Sequence, residues 1–275
     1  MVVHTIVGGQ GVHLAVEETG NSAGIPLIFL HGFSQSSLCW LPQRTPELEQ
    51  HYRLIAPDCR GHGRSAKPEE QQAYTDSRLW AEDIQSIITT LGLDRPVLIG
   101  WSYGGVMICD YLRFYGQASL RGIVFVGAVS KLGAPVLPLL GADFVALFNG
   151  LFANDVRQST TALQQFLRLM VSVEPAPRDL YLWLGYNSVV PPSVRAHLFA
   201  RTLTNDDLLT SFTLPTLLIH GEQDVIVLPA ATHEHHRMVP HAQTLWYPQV
   251  GHAPFWEDST RFNHDIRTFV EGLVA

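Results

Sequence analysis

Cysteine is scarce in this sequence: Cys39, Cys59 and Cys109 are the only three in 275 residues. So sparse and odd a set is no disulfide framework, which makes a reducing, cytoplasmic setting the expectation. Basic charge is not in excess either. Lys and Arg number 18 against 25 Asp and Glu, for a formal net charge of -7. A nucleic-acid partner is therefore not expected, since such a partner calls for a basic stripe to neutralise phosphates. Long unbroken apolar runs are missing too. The nearest approach, Leu132 to Ala153, is interrupted by Pro135, Pro138, Asp143, Gly133, Gly141 and Gly150. A spanning helix needs about 20 predominantly apolar residues, so this stretch reads as a buried or pocket-covering segment and no membrane span is expected. The opening MVVHTIVGGQ lacks a basic stretch followed by an apolar one, so no signal peptide is expected. Neither internal repeats nor low-complexity tracts occur. With 46% apolar and 16% charged residues, the composition excludes disordered and fibrous classes.

What is present is alternation. Short runs rich in Val, Ile and Leu alternate with helical periodicity, the pattern of a mostly parallel sheet with crossover helices. Val2–Val7 and Val12–Glu18 flank Gly8-Gly9-Gln10-Gly11, a hairpin signal. Further strands are expected at Pro26–Leu30, Arg53–Ala56, Val97–Ile99, Gly122–Val126, Thr216–His220 and Gln243–Tyr247. Trp80, Ile84, Ile87, Ile88 and Leu91 recur at helical spacing, with Gly92 placed for a left-handed cap. Ser259 is the expected N-cap of a last helix carrying Phe262, Ile266, Phe269, Val270 and Leu273 on one face. Between Val129 and Ser211 the strand rhythm stops and helical patterns and Pro clusters take over. The expected organisation is a core of residues 1–128 and 212–275 with a helical cap inserted at 129–211.

The sharpest local signal is Gly100-Trp101-Ser102-Tyr103-Gly104. It sits between a strand and a helix, the context in which G-x-S-x-G resembles the nucleophile elbow of α/β hydrolases. Side chains two residues either side of the serine would collide in so tight a turn, hence the glycines. The helix N-terminus behind it favours developing negative charge. A serine hydroxyl needs a base, and the base an orienting acid. In such folds both follow the serine, acid first. His220-Gly221-Glu222-Gln223-Asp224 offers two acids after a strand: Asp224 is preferred on its G-x-x-D spacing, and Glu222 competes. Of 13 His, only His252, in Gly251-His252-Ala253-Pro254, falls on a loop just past the last strand. His233, His235 and His236 read as a solvated helix face, and His233-Glu234 lacks the second His of H-E-x-x-H. His241 falls at the wrong sheet end and His264 within the last helix.

Acyl transfer also needs donors for an oxyanion. The Tyr103 amide follows the nucleophile, and the loop His31-Gly32-Phe33-Ser34 supplies the Phe33 amide. His31 precedes Ser102 and reads as structural. Ser34 reads as an N-cap, with a hydroxyl donor as the other possibility.

Taken together, His31-Gly32-Phe33, Asp58-Cys59-Arg60-Gly61-His62-Gly63-Arg64-Ser65, the serine elbow, Gly221 to Asp224 and Gly251-His252 resemble the α/β-hydrolase family over nearly the whole chain. The resemblance implies an α/β-hydrolase fold: a mostly parallel eight-stranded sheet with a cap. It points toward bacterial esterases and lactonases and toward cofactor-free haloperoxidases, or perhydrolases. It also implies that Asp58–Ser65 is a structural loop. Dehalogenases and epoxide hydrolases of this fold place Asp at the elbow, and Ser102 points away from them. Some perhydrolases carry Pro where Ser34 stands, and Trp101 replaces the His or Asn common beside the nucleophile.

The expected reaction is hydrolysis of a small, fairly apolar ester or lactone through an acyl-enzyme on Ser102, His252 and Asp224, with no metal and no cofactor. The expected pocket comprises Trp101, Leu137, Leu140, Phe144, Phe148 and Phe255. Perhydrolysis or C–C cleavage on the same triad is the enzymatic alternative. A ligand-binding protein that keeps the fold is the non-catalytic one.

Overall fold

The computed structural model describes residues 1–274. Eight strands form one sheet: β1 (Val2–Val7), β2 (His13–Gly20), β3 (Ile25–Leu30), β4 (Tyr52–Pro57), β5 (Val97–Trp101), β6 (Gly122–Val126), β7 (Thr216–Gly221) and β8 (Gln243–Tyr247). Their spatial order is β1-β2-β4-β3-β5-β6-β7-β8. β1 pairs antiparallel with β2, and β2 with β4; every later pair is parallel. The composition of each strand follows its place. β5, β6 and β7 are covered on both faces and are buried along their whole length, in keeping with their apolar runs; in β7 the run is Leu217, Leu218 and Ile219, between buried Thr216 and His220. β1 lies at the edge, and there Val2, Val3 and Val7 remain exposed.

Helices Ser77–Thr90 and Gly104–Tyr115 pack on one another against the sheet. Leu79, Trp80, Ile84, Ile87 and Ile88 form the buried stripe of the first. Gly92 follows it at φ 58°, the left-handed stop its position called for. The last helix, Ser259–Gly272, is capped one residue earlier than expected. Asp258 accepts from the Arg261 amide, and Ser259 is already helical.

The hairpin turn is a short 3-10 turn, Gly9–Gly11, with Gln10 at φ 54°. Strand order steps to one side of β3 at β4 and to the other at β5, so the loops leaving β3 and β5 flank a crevice at the carboxyl edge. Ligands of open parallel sheets sit at such a reversal.

Between β6 and β7 the chain leaves the sheet. It forms the 3-10 turn Ala134–Leu139 and helices Ala142–Ala146, Phe148–Leu151, Val156–Leu169, Pro177–Ser188, Pro192–Phe199 and Asp206–Thr210. Ser159, Ala162, Leu163, Phe166 and Leu167 turn inward from Val156–Leu169. Buried Arg195 binds three parts of this layer: it donates to Leu151 O at 2.7 Å, Asn187 O at 3.2 Å and Ser159 Oγ at 2.7 Å. The apolar stretch from Leu132 onward is divided among these short elements, and no helix among the described residues is long and apolar enough to cross a membrane.

Candidate active site

Ser102 stands at the end of β5 with φ 55°, a left-handed conformation that β-carbon sterics disfavour. Backbone bonds hold it there. Its N–H donates to Val126 O at 2.9 Å, and its C=O accepts from Gly105 and Val129 at 3.0 and 3.1 Å. The flanking glycines are required by contact. A Cβ on Gly100 would lie 2.6 Å from Gly104 O, and one on Gly104 would lie 2.5 Å from Leu30 O. The second collision is with the end of β3 rather than within the turn.

Asp224 and His252 converge from the loops after β7 and β8. His252 Nδ1 donates to Asp224 Oδ2 at 2.7 Å, with both residues buried. Asp224 Oδ1 accepts the amides of Ile226 and Val227 at 2.9 and 3.0 Å. His220 Nε2 lies 3.1 Å from Oδ2. Burial by itself would push this carboxyl up, but the charge and hydrogen bond of His252, with those of His220, hold it at about 2. An ionised acceptor at Nδ1 leaves the His252 Nε2 lone pair free. Glu222 is exposed, and its carboxylate makes no hydrogen bond to His252. No hydrogen bond joins Ser102 Oγ to His252 in this structure. His252 is tied to the elbow's surroundings instead: a Cβ on Gly127, which follows the Val126 that accepts the Ser102 N–H, would sit 3.2 Å from both Asp224 Oδ2 and His252 Nδ1, and the indole N–H of Trp101 donates to His252 O at 2.8 Å. Catalytic hydrogen bonds of this kind commonly close only when substrate binds.

The amides of Phe33 and Tyr103 have no acceptor among the described residues, and Gly32 brings the first loop against the elbow. A Cβ there would approach Ser102 Cβ to 3.0 Å. His31 is structural, with Nδ1 donating to Gly32 O at 2.9 Å and Nε2 accepting from Cys59 N at 3.0 Å. The Asp58 carboxylate accepts the amides of Ser37 and Arg64 at 2.8 and 2.9 Å, which ties its loop to the same edge. Ser34 is not the expected cap. The cap is Ser36, which accepts from Leu38 N. Ser34 instead occupies the third position of a turn closed from Gln35 N to Gly32 O, at φ 61°, and its buried hydroxyl has no partner.

A cavity of about 20 Å³ opens on Ser102, lined by Phe33, Tyr103, Val129, Leu132, Val136, Leu140, Phe144, Phe199 and Val227. Leu140 and Phe144 belong to the expected pocket; the other four members lie elsewhere. Leu137 is 49% exposed, because a 3-10 turn puts Val136 and Leu139 on its inner face and Leu137 outside. Phe148 stands one layer back, its ring 5.2 Å from that of Phe144. The Phe255 ring packs tilted against Trp40, 4.3 Å between centroids, and edge-on against Trp101 at 4.7 Å. Trp101 and Phe255 thus pack beneath the His252 loop rather than lining the cavity. Phe199 reaches the cavity from a short helix far along the chain, and nothing in its local pattern marks it.

His235 corrects another expectation. It is buried, and its Nε2 lies 2.9 Å from Ser130 Oγ, while His233 and His236 are exposed.

The family profile of the alpha/beta hydrolase fold matches residues 25–259. The chain belongs to that family and is an α/β hydrolase. An esterase, RhEst1, from Rhodococcus sp. ECU1013 superposes with TM-score 0.92 at 36% identity, covering 99% of this chain and 100% of that one. A proposed aryl esterase from Burkholderia cenocepacia gives TM-score 0.90 at 33% identity, with 99% of each chain covered. The non-heme chloroperoxidase CPO-A1 of Kitasatospora aureofaciens is 26% identical over 95% of this chain and 97% of its own length.

Proposed function

We propose that the protein is a serine hydrolase of small, uncharged carboxylic esters or lactones. The observation that carries this reading is the 2.7 Å bond from His252 Nδ1 to Asp224 Oδ2 at the rim where Ser102 is held in a left-handed turn. Ser102 attacks the acyl carbon as His252 Nε2 takes its proton. Asp224 fixes the tautomer and stabilises the imidazolium. The amides of Phe33 and Tyr103 bind the oxyanion. His252 then returns the proton to the leaving alcohol and activates the water that releases the acid. The lining supports an apolar acyl group, since Phe33, Val129, Leu132, Val136, Leu140, Phe144, Phe199 and Val227 present no charge.

The chloroperoxidase similarity supports a second reading on the same residues, in which hydrogen peroxide replaces water as acyl acceptor and releases a peracid. A fluorophosphonate probe tests the shared nucleophile. Labelling of wild type but not of Ser102→Ala is expected, and no labelling of wild type refutes both readings. An ester series graded by acyl length, run with and without peroxide, then separates them. Best turnover of charged, highly polar esters would refute the apolar-substrate assignment.

A further inference from the structure

Behind His252 lies a second carboxylate that the proposed reaction does not use. Glu257 ends the short helix Pro254–Glu257. Its Oε1 accepts the Gly251 amide at 2.8 Å. Its Oε2 accepts the Ser172 amide at 2.7 Å and lies 2.7 Å from the Ser172 hydroxyl. One side chain therefore joins the loop of the base to the cap segment that follows helix Val156–Leu169.

The joint continues on both sides. His252 N donates to Met170 O at 2.9 Å. Met170 Sδ accepts from Gln35 Nε2 at 3.3 Å, two residues past Phe33. A Cβ on Gly251 would meet Ser172 N and Val171 C at 3.0 Å, so the two backbones are in direct contact. Met170–Ser172 is thus wedged between the loop of the expected base and the loop of the expected oxyanion amide. The His252 imidazole is held at Nδ1 by Asp224. Its backbone is held at O by Trp101 and at N by Met170. Two of these three tethers belong to the core, and the third comes from the cap.

We infer that the cap segment Met170–Ser172, clamped by Glu257, positions the His252 imidazole for proton transfer. The inference rests on the reading of His252 as base. Freeing the clamp lets the loop shift, and displacements near 1 Å at a reacting group are enough to slow a reaction greatly. A clamp that only kept the cap closed would act on substrate affinity and stability instead.

The test compares Glu257→Ala and Glu257→Gln with Lys131→Met. The last removes ion pairs to Glu234 at 2.9 Å and Asp206 at 3.2 Å, at another seam of the cap. kcat and KM on a short-chain nitrophenyl ester, the rate of fluorophosphonate labelling, and Tm are measured for each. Glu257→Ala is expected to lower kcat and labelling rate together by about 10- to 100-fold, with KM nearly unchanged. Glu257→Gln keeps one acceptor oxygen and is expected to fall between, and it carries the test should the alanine variant not fold. Lys131→Met is expected to lower Tm with kcat near wild type. Wild-type kcat and labelling in both Glu257 variants, or a rise in KM alone, overturns the inference by itself. A wild-type protein that neither labels nor cleaves ester overturns the serine-hydrolase reading and takes this inference with it.

Discussion

Replacing Ser102 by glycine is expected to stabilise the protein relative to Ser102→Ala, although both remove the hydroxyl. The backbone at 102 has φ 55° and is held by bonds to Val126, Gly105 and Val129, so alanine inherits the conformation with its β-carbon. A left-handed conformation costs an L-residue about 1–2 kcal/mol. Glycine escapes that cost but gives back about 0.4–1 kcal/mol through the greater freedom of its unfolded chain. The net advantage of glycine is about 1 kcal/mol, a rise in Tm of roughly 2–4 °C for a chain near this size. Urea unfolding of the two variants at one pH, with midpoints and slopes fitted together, reads the difference. Because neither carries the hydroxyl, lost reactivity cannot confound it. A glycine variant no more stable than the alanine variant would refute the claim that the elbow is strained.

Asp224→Asn is expected to lower turnover by about 10⁴-fold, because the amide no longer fixes the His252 tautomer; Glu222→Gln, at an exposed residue, is expected to leave it near wild type, and steady-state assays on one ester decide. Phe144→Ala should cost about 3–5 kcal/mol of stability and move preference toward bulkier acyl groups, whereas Leu137→Ala should do neither; denaturation and an acyl-length series check this. Acid should destabilise the fold. His62 and His235 are buried and held down to about 3 by desolvation, and burial lowers His31 too. The unfolded chain therefore binds more protons below the ordinary histidine range. For His62 and His235 stability is full above about pH 6.5 and falls on acidification through the window down to about pH 3, by about 1.4 kcal/mol per pH unit for each of these two, and His31 acts in the same direction. Asp224, held at about 2, adds a loss below about pH 4. Urea midpoints that do not change between pH 7 and pH 5 would contradict this.

The readable parts of the chain are those where one local constraint acts. Buried strands must be apolar along their length, so β5, β6 and β7 stand out. The elbow is legible because its glycines answer to backbone contacts within reach of the turn and the end of β3. His252 is the one histidine just past the last strand, and that rule selected it from 13. Where two rules competed, reading by sequence was less sharp. Asp258 and Ser259 are both good caps, and geometry chose Asp258. His235 shares its helix with exposed His233 and His236, and only the packing of that helix under Ser130 distinguishes it.

Sequence by itself thus determined the order of the strands along the chain, the turn that carries Ser102, and the loops that bear Asp224 and His252, because each depends on neighbours a few residues away. The tertiary structure decided what surrounds them. Phe199 lines the cavity, Trp101 lies under His252, and Glu257 joins Gly251 to Ser172, through contacts that no local pattern encodes. The helical segment between β6 and β7 has no periodic register with the sheet. Which of its side chains face Ser102 is set by how its short helices pack over the carboxyl edge.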